Sequence, residues 1–356
     1  MKPSKNLKRL QFHEEKSKKS ILNGKRNEKV KVNGIEIERV TSHTYLGKII
    51  EEKIKDKEEI QERLKKAKAQ TTQSFVVIDR KKLNRKRIEV GIKLLQTVVI
   101  PTLTTGAETW TKLTEKEKHD INSIQTQYLT RLLKIPRTTP RSALLTETGL
   151  MKVEHIANQR KLEYYIDLNN REEWRLEVKM KNLQEQKNMS YKKEIEELTE
   201  KYNIRENLKI INAKEGKRII KKAVKKYNDD EVKEEMNKGK KTKNMDTHCK
   251  KYLKKLKFDN ASTIFMAVSG MLDLKANYRQ KHLRGWNCDM CKNNKEENTQ
   301  HIFECSAYED LTKELKDRSS LQEILRKNET EKVAETIRKI ISRRDEFQKM
   351  ESPPLP

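Results

Sequence analysis

Four residues toward the C-terminal end have the types and spacing of a metal site. Cys288-Asp-Met-Cys291 is followed by nine residues, then His301, three more, and Cys305, giving C-x2-C-x9-H-x3-C. Two cysteines separated by two residues form a tight turn that aims both thiolates at one point. A histidine and a cysteine four apart on a short helix project from one face. Such a set suits tetrahedral zinc and leaves no open position, so one structural ion is the expected cofactor. Folding of the segment is then coupled to the metal. Three of the four cysteines fall within these eighteen residues, which favours metal over disulfides. The fourth, Cys249, stands beside His248 without further partners nearby and reads as a surface pair.

Other chemistry is thinner. Tyr227-Asn228-Asp229-Asp230 contains the paired aspartates that metal-dependent polymerases use. Its neighbours are charged and helix-like, where a hydrophobic hairpin would be needed, so no catalytic residue is assigned. No glycine loop for phosphate and no GxSxG elbow is present, and His119 and His155 lack a recognisable partner set. Basic residues are more informative. Arg80, Lys81, Lys82, Arg85, Lys86 and Arg87 place six cations in eight positions, either tracking phosphates or forming a solvated connector. Lys275, Arg279, Lys281 and Arg284 flank Tyr278 and Trp286, a mixture that allows phosphate contact with base stacking. Trp286 also suits a lid over the metal site, and Trp110 and Trp174 suit packing roles.

The whole composition points the same way. The net charge is +27, so the expected partner is a polyanion: RNA, an RNA–DNA hybrid or DNA. No segment has the apolar length of a membrane span, and residues 1–20 lack the apolar core of a secretory signal. An intracellular place, nucleus or cytoplasm, is expected, with no membrane and no small-molecule substrate. Only 33% of residues are hydrophobic and 38% are charged, which disfavours one large core. Few glycines (10) and prolines (7) disfavour a sandwich or barrel.

The expected fold class is therefore mainly α, with a small β-hairpin element near the N-terminus. Val30, Val32, Ile35, Ile37 and Val40 alternate around Asn33-Gly34, a strong hairpin signal, and Tyr45 to Ile50 reads as a further strand. The first region is 1–56. A helical bundle follows over 57–170. Ile60, Leu64, Ala67, Thr71, Phe75 and Ile78 share a helix face, as do Ile88, Ile92, Leu95 and Val99, with Pro101 closing that helix. Thr114 and Glu117 make a capping box, Thr139 should cap a helix begun by Pro140, and Gly149 should end it. Residues 171–252 read as a charged helical, partly disordered linker, 253–310 as the small zinc knuckle region, and 311–356 as C-terminal helices and tail.

Several stretches, in order, resemble the C-terminal part of LINE-type (non-LTR) retrotransposon reverse transcriptases. Met1 to Phe12, MKPSKNLKRLQF, is similar to the segment after that family's catalytic hairpin. Val40-Thr-Ser-His-Thr-Tyr45-Leu46-Gly47 resembles the Y-L-G box of the primer grip. Ile100 to Trp110 resembles the Y-G-x-E-x-W stretch of the helical thumb, with Thr105 in place of the aromatic. Ile135 to Arg141 and Glu147-Thr-Gly149 continue it, and Gly270 through Cys305 is similar to the family's C-terminal CCHC knuckle. The resemblance covers about 1–168 and 262–308. It implies a thumb lying along a template–primer duplex and a knuckle gripping RNA or target DNA. The family's F/Y-x-D-D box lies upstream of Y-L-G, and this chain begins downstream of that place. The expectation is a nucleic-acid-binding fragment that does not itself polymerise. Alternatives are the C-terminal part of an active RNA-directed DNA polymerase whose palm is missing from the gene model, or a zinc-knuckle RNA-binding protein reused by a host.

Overall fold

The computed structural model describes residues 31–32, 35–36, 40–45, 48–51, 56–80, 83–110, 112–186, 190–204, 212–239, 242, 252–277, 285–291, 293–315, 321 and 330–351. The fold is mainly helical. Ahead of the helices, β1 (Lys31–Val32) pairs antiparallel with β2 (Ile35–Glu36), and β3 (Ser42–Tyr45) with β4 (Lys48–Glu51). Asn33, Gly34, Leu46 and Gly47 lie outside the described residues.

Helix α1 (Lys57–Arg80) forms because its apolar residues recur on one face: Ile60, Leu64, Ala67, Phe75 and Ile78 are all buried. Glu58 and Glu59 in its first turn and Arg80 in its last suit the helix dipole. Glu59 is itself buried. One carboxylate oxygen accepts from the Ile49 N–H at 2.7 Å, tying β4 to α1, and the other meets Arg63 Nε at 2.6 Å.

The next helix does not end at Pro101. Helix α2 (Arg87–Leu94) passes through a π-turn at Leu95–Val99 into α3 (Ile100–Leu103). Pro101 is the second residue of α3, and the widened turn just before it already interrupts the regular α-helical bonding that a proline would break. Gly91 lets α2 approach α4 (Glu115–Leu133): a Cβ there would lie 2.3 Å from Leu132 Cδ1. Tyr128 on α4 donates to the Gly91 carbonyl at 2.8 Å. The Thr114–Glu117 capping box opens α4, and Trp110 just before it is buried.

Helix α5 (Arg141–Thr148) starts one residue later than Thr139 capping requires. Pro140 holds the cap position, and Thr139 Oγ instead donates to the Pro136 carbonyl at 2.6 Å. Gly149 at φ 69° closes α5 as expected.

The stretch read as a charged linker packs. Helices α7 (Leu176–Gln186), α8 (Ser190–Lys201) and α9 (Ala213–Lys238) gather on α6 (Val153–Asn169). Leu162 and Ile166 of α6 meet Ile195 and Leu198 of α8, Tyr202 and Ile204 just after it, and Ile220 and Val224 of α9. Gly216 permits the approach of α9, because a Cβ would lie 2.4 Å from Ile166 Cδ1. Trp174, expected to pack, stands 69% exposed in the bend before α7, with the Arg175 guanidinium 5.5 Å from its ring.

After α10 (Tyr252–Lys255), the apolar helix α11 (Phe258–Val268) covers the back of α4, where Ser262 Oγ donates to the Leu133 carbonyl. The knuckle region and α14 (Thr330–Glu351) complete the same core. Leu129 and Leu132 of α4 belong to one continuous cluster with Ile264, Phe265, Cys288, Cys305, Tyr308, Val333 and Ile337. The bundle, the knuckle and the C-terminal helix, separate by sequence, therefore share one interior.

Candidate metal centre and basic surfaces

The metal cluster is built by a hairpin and a short helix. Gly285, at φ 68°, leads into a paired segment: Glu297 N–H donates to the Trp286 carbonyl at 2.8 Å and Cys288 N–H to the Lys295 carbonyl at 2.9 Å. The turn between them carries Cys291. Asn298 Oδ1 accepts the His301 N–H at 2.8 Å, starting α12 (His301–Glu304). Cys305 is not on that helix. It follows directly, in extended conformation, and its side chain still turns to the same point as His301.

The donor atoms of Cys288, Cys291, His301 and Cys305 lie within 4.8 Å of one another. Cys288 Sγ and Cys305 Sγ are 3.9 Å apart, and Cys291 Sγ and His301 Nε2 are 3.5 Å apart. Bond lengths of about 2.3 Å to sulfur and 2.0–2.1 Å to nitrogen at a tetrahedral centre require edges of about 3.8 Å and 3.5–3.6 Å. The set therefore fits one metal ion. Burial pushes the Cys305 thiol up to about 12 and raises Cys288, while burial lowers the His301 imidazole. A neutral imidazole is ready to ligate, and a divalent cation reverses the cost of the thiolates.

Around these residues is a polar clamp that spacing did not reveal. Glu297, between Cys291 and His301 in sequence, is buried and takes Arg344 of α14 in a two-pronged pair, Nε–Oε1 2.8 Å and Nη2–Oε2 3.1 Å. Its Oε2 also accepts the Lys275 N–H at 2.8 Å. Arg343 adds a second fork to Asp310, on α13 (Glu309–Thr312), at 2.7 Å on both prongs.

The expected nucleic-acid residues divide. Arg80, Arg85 and Lys86 are exposed around the α1–α2 connector, whereas Lys81 and Lys82 lie outside the described residues. Arg87 is engaged internally. It pairs with Asp79 at 2.9 Å and lies 5.0 Å from the Phe258 ring, so it fastens α11 to the connector. Lys275 is likewise taken by Asp289 at 2.5 Å. Trp286 is 48% exposed, which leaves much of its ring outside the knuckle core. Tyr278, Arg279, Lys281 and Arg284 lie outside the described residues. Tyr45 ends β3.

A second polar centre was missed. His155 on α6 is fully buried, with Nδ1 2.8 Å from Tyr202 Oη and Nε2 2.8 Å from Glu231 Oε2. Lys152 Nζ reaches the same Glu231 oxygen at 2.6 Å and Glu235 at 2.7 Å. Burial alone would raise Glu231, but hydrogen bonds from His155 and Lys152 overcome it and hold the carboxyl at about 2. Glu154, His155 and Glu231 have metal-like proximity, yet the Lys152 ammonium already supplies the positive charge there. The Tyr227–Asp230 tetrad belongs to this neighbourhood, inside α9. Asn228 is buried and accepts the Lys152 N–H at 2.9 Å, and Asp229 pairs with Lys225 at 2.7 Å.

Among the described residues no helix is long and apolar enough to cross a membrane. No protein family, curated protein or solved structure matches this chain.

Proposed function

We propose that the chain is a nucleic-acid-binding part of a reverse transcriptase of the LINE type, made of a primer-grip-like β element, a helical thumb and a zinc knuckle. In this reading Tyr45-Leu46-Gly47 is the primer-grip box, the helices from α1 to α6 lie along a template–primer duplex, and the knuckle holds RNA or DNA near its end. The parent activity is RNA-directed DNA polymerisation, and this chain contributes binding. It acts inside the cell, where thiols stay reduced.

The observation that carries the reading is a Cys3His cluster whose donor atoms all lie within 4.8 Å of one another, set in the same core as the helical body in a chain of net charge +27. Zinc is the ion whose ligand preferences match three thiolates and one imidazole. Bound there, it would tie the hairpin to the short helix with four bonds and supply no chemistry of its own.

The test has two parts. Elemental analysis of the purified protein should give one zinc per chain, lost in the Cys288→Ser, Cys291→Ser double variant together with single-strand binding. Titration of an RNA oligonucleotide at several salt concentrations should give affinity that falls steeply with salt. Absence of zinc, or binding indifferent to salt, would end this reading.

A further inference from the structure

Helix α9 carries its charges in two blocks. From Ala213 to Lys226 it has seven basic residues and a single acid, Glu215. From Tyr227 to Lys238 it has five acids, Asp229, Asp230, Glu231, Glu234 and Glu235, and two basic residues, Lys233 and Lys238. A helix that merely needs solvation alternates its charges in i,i+4 pairs instead. The acidic half has a use inside the fold, because Glu231 and Glu235 hold Lys152 and His155. Nothing comparable employs most of the basic half.

The positions matter as much as the count. Lys214, Arg218, Lys221, Lys222 and Lys226 are exposed. At 100° per residue they fall in one arc on the side opposite Gly216, Ile220 and Val224, which are buried against α6 and α8. Lys214, Lys221, Lys222 and Lys226 have no ion-pair partner among the described residues, and Arg218 reaches only its neighbour Glu215 at 3.6 Å. The backbone beneath them is fixed: Asn212 caps the helix through the Glu215 N–H at 2.9 Å, and Gly216 seats it on Ile166. The result is a rigid row of cations.

We propose that this exposed face of α9 is a binding surface for the phosphodiester backbone of nucleic acid, separate from the knuckle and from the α1–α2 connector. The row from Lys214 to Lys226 is about 18 Å long at 1.5 Å per residue. That length of B-form duplex presents about five phosphates on each strand. Lysine is a point charge on a flexible stem, suited to backbone contact without sequence preference.

The inference rests on the proposed nucleic-acid binding, and its test separates the two. A DNA duplex of about 25 base pairs is titrated at several salt concentrations with the whole protein. The compared variant carries Lys214→Gln, Lys221→Gln, Lys222→Gln and Lys226→Gln. Glutamine keeps helix propensity and the residues are exposed, so folding is retained and is checked by circular dichroism and melting. Each lost phosphate contact reduces the salt slope by about 0.9, so the variant's slope should be shallower by about 2–4. A control with Lys313, Lys332, Lys339 and Lys349 changed to Gln removes the same charge from other exposed sites and should change the slope by less than about 1. A variant with arginine at the four α9 positions should keep it. Equal loss in the control would reduce the effect to net charge and overturn the proposal, as would an unchanged slope in the α9 variant. In that second case salt-dependent binding by the unaltered protein leaves the proposed function standing. If the unaltered protein shows no salt-dependent binding, both fall.

Discussion

Replacing Glu297 with alanine should be among the most damaging single changes in the knuckle, although Glu297 is not a metal ligand. Arg344 is 3% exposed, and its charge is met at Nε and Nη2 by the two Glu297 oxygens, with Asp345 only at 3.5 Å from Nη1. Removing Glu297 leaves this buried charge only the longer contact to the half-exposed Asp345, at a cost of up to about 3–5 kcal/mol. At roughly 2–3 °C per kcal/mol, the melting temperature should drop by about 6–15 °C. Because knuckle folding and metal binding are one equilibrium in the proposed reading, zinc affinity should weaken by about two to four orders of magnitude. The informative comparison is the Glu297→Ala, Arg344→Met double variant, which removes both charges and should recover most of the loss. Melting curves and competition with a zinc-binding dye read both quantities. A single variant destabilised by less than about 1 kcal/mol, or a double variant no better than the single, would refute the argument that an uncompensated charge is the cause.

Two further outcomes follow from local structure. Glu231 has its carboxyl held at about 2 against an ordinary 4.5, so its contribution is fully present above pH 4.5 and is lost as pH falls toward 2. Discounted for its partial exposure, this is worth about 1–2 kcal/mol, and Glu231→Gln should flatten that part of the stability–pH curve measured by urea melts. Thr114→Ala removes the capping box at the start of α4 and should cost about 1 kcal/mol in the same assay, while Thr114→Ser should cost little.

What the sequence made legible was local. The period of Ile60 to Ile78 located a buried face, the Thr114–Glu117 pair located a helix start, and Gly149 located an end. The four residues of the candidate metal cluster were legible because metal-binding chemistry restricts residue type and spacing together. What escaped depends on partners far apart in the chain. Ile195, Leu198 and Tyr202 look too sparse to make a core until Leu162 and Ile166 from one side and Ile220 and Val224 from the other complete it. Arg344 and Glu297 are 47 residues apart, and in a chain that is 38% charged no single Glu or Arg stands out. His155 had the same problem: its partners Tyr202 and Glu231 lie on elements read as linker. Pro101 misled because proline as a helix stop assumes regular α-winding, and the π-turn before it changes the register.

The seat of α11 on the back of α4 has a consequence for synthesis. Ser262 meets the Leu133 carbonyl across 129 residues, and Leu129 and Leu132 share their interior with Ile264 and Phe265. A ribosome adding about 5–20 residues per second needs about 6–26 s to go from one to the other. Through that interval the nascent chain displays a finished helix with an uncovered apolar back and a surplus of positive charge. Until α11 is made, that face has to be sheltered by something other than the helix that finally covers it.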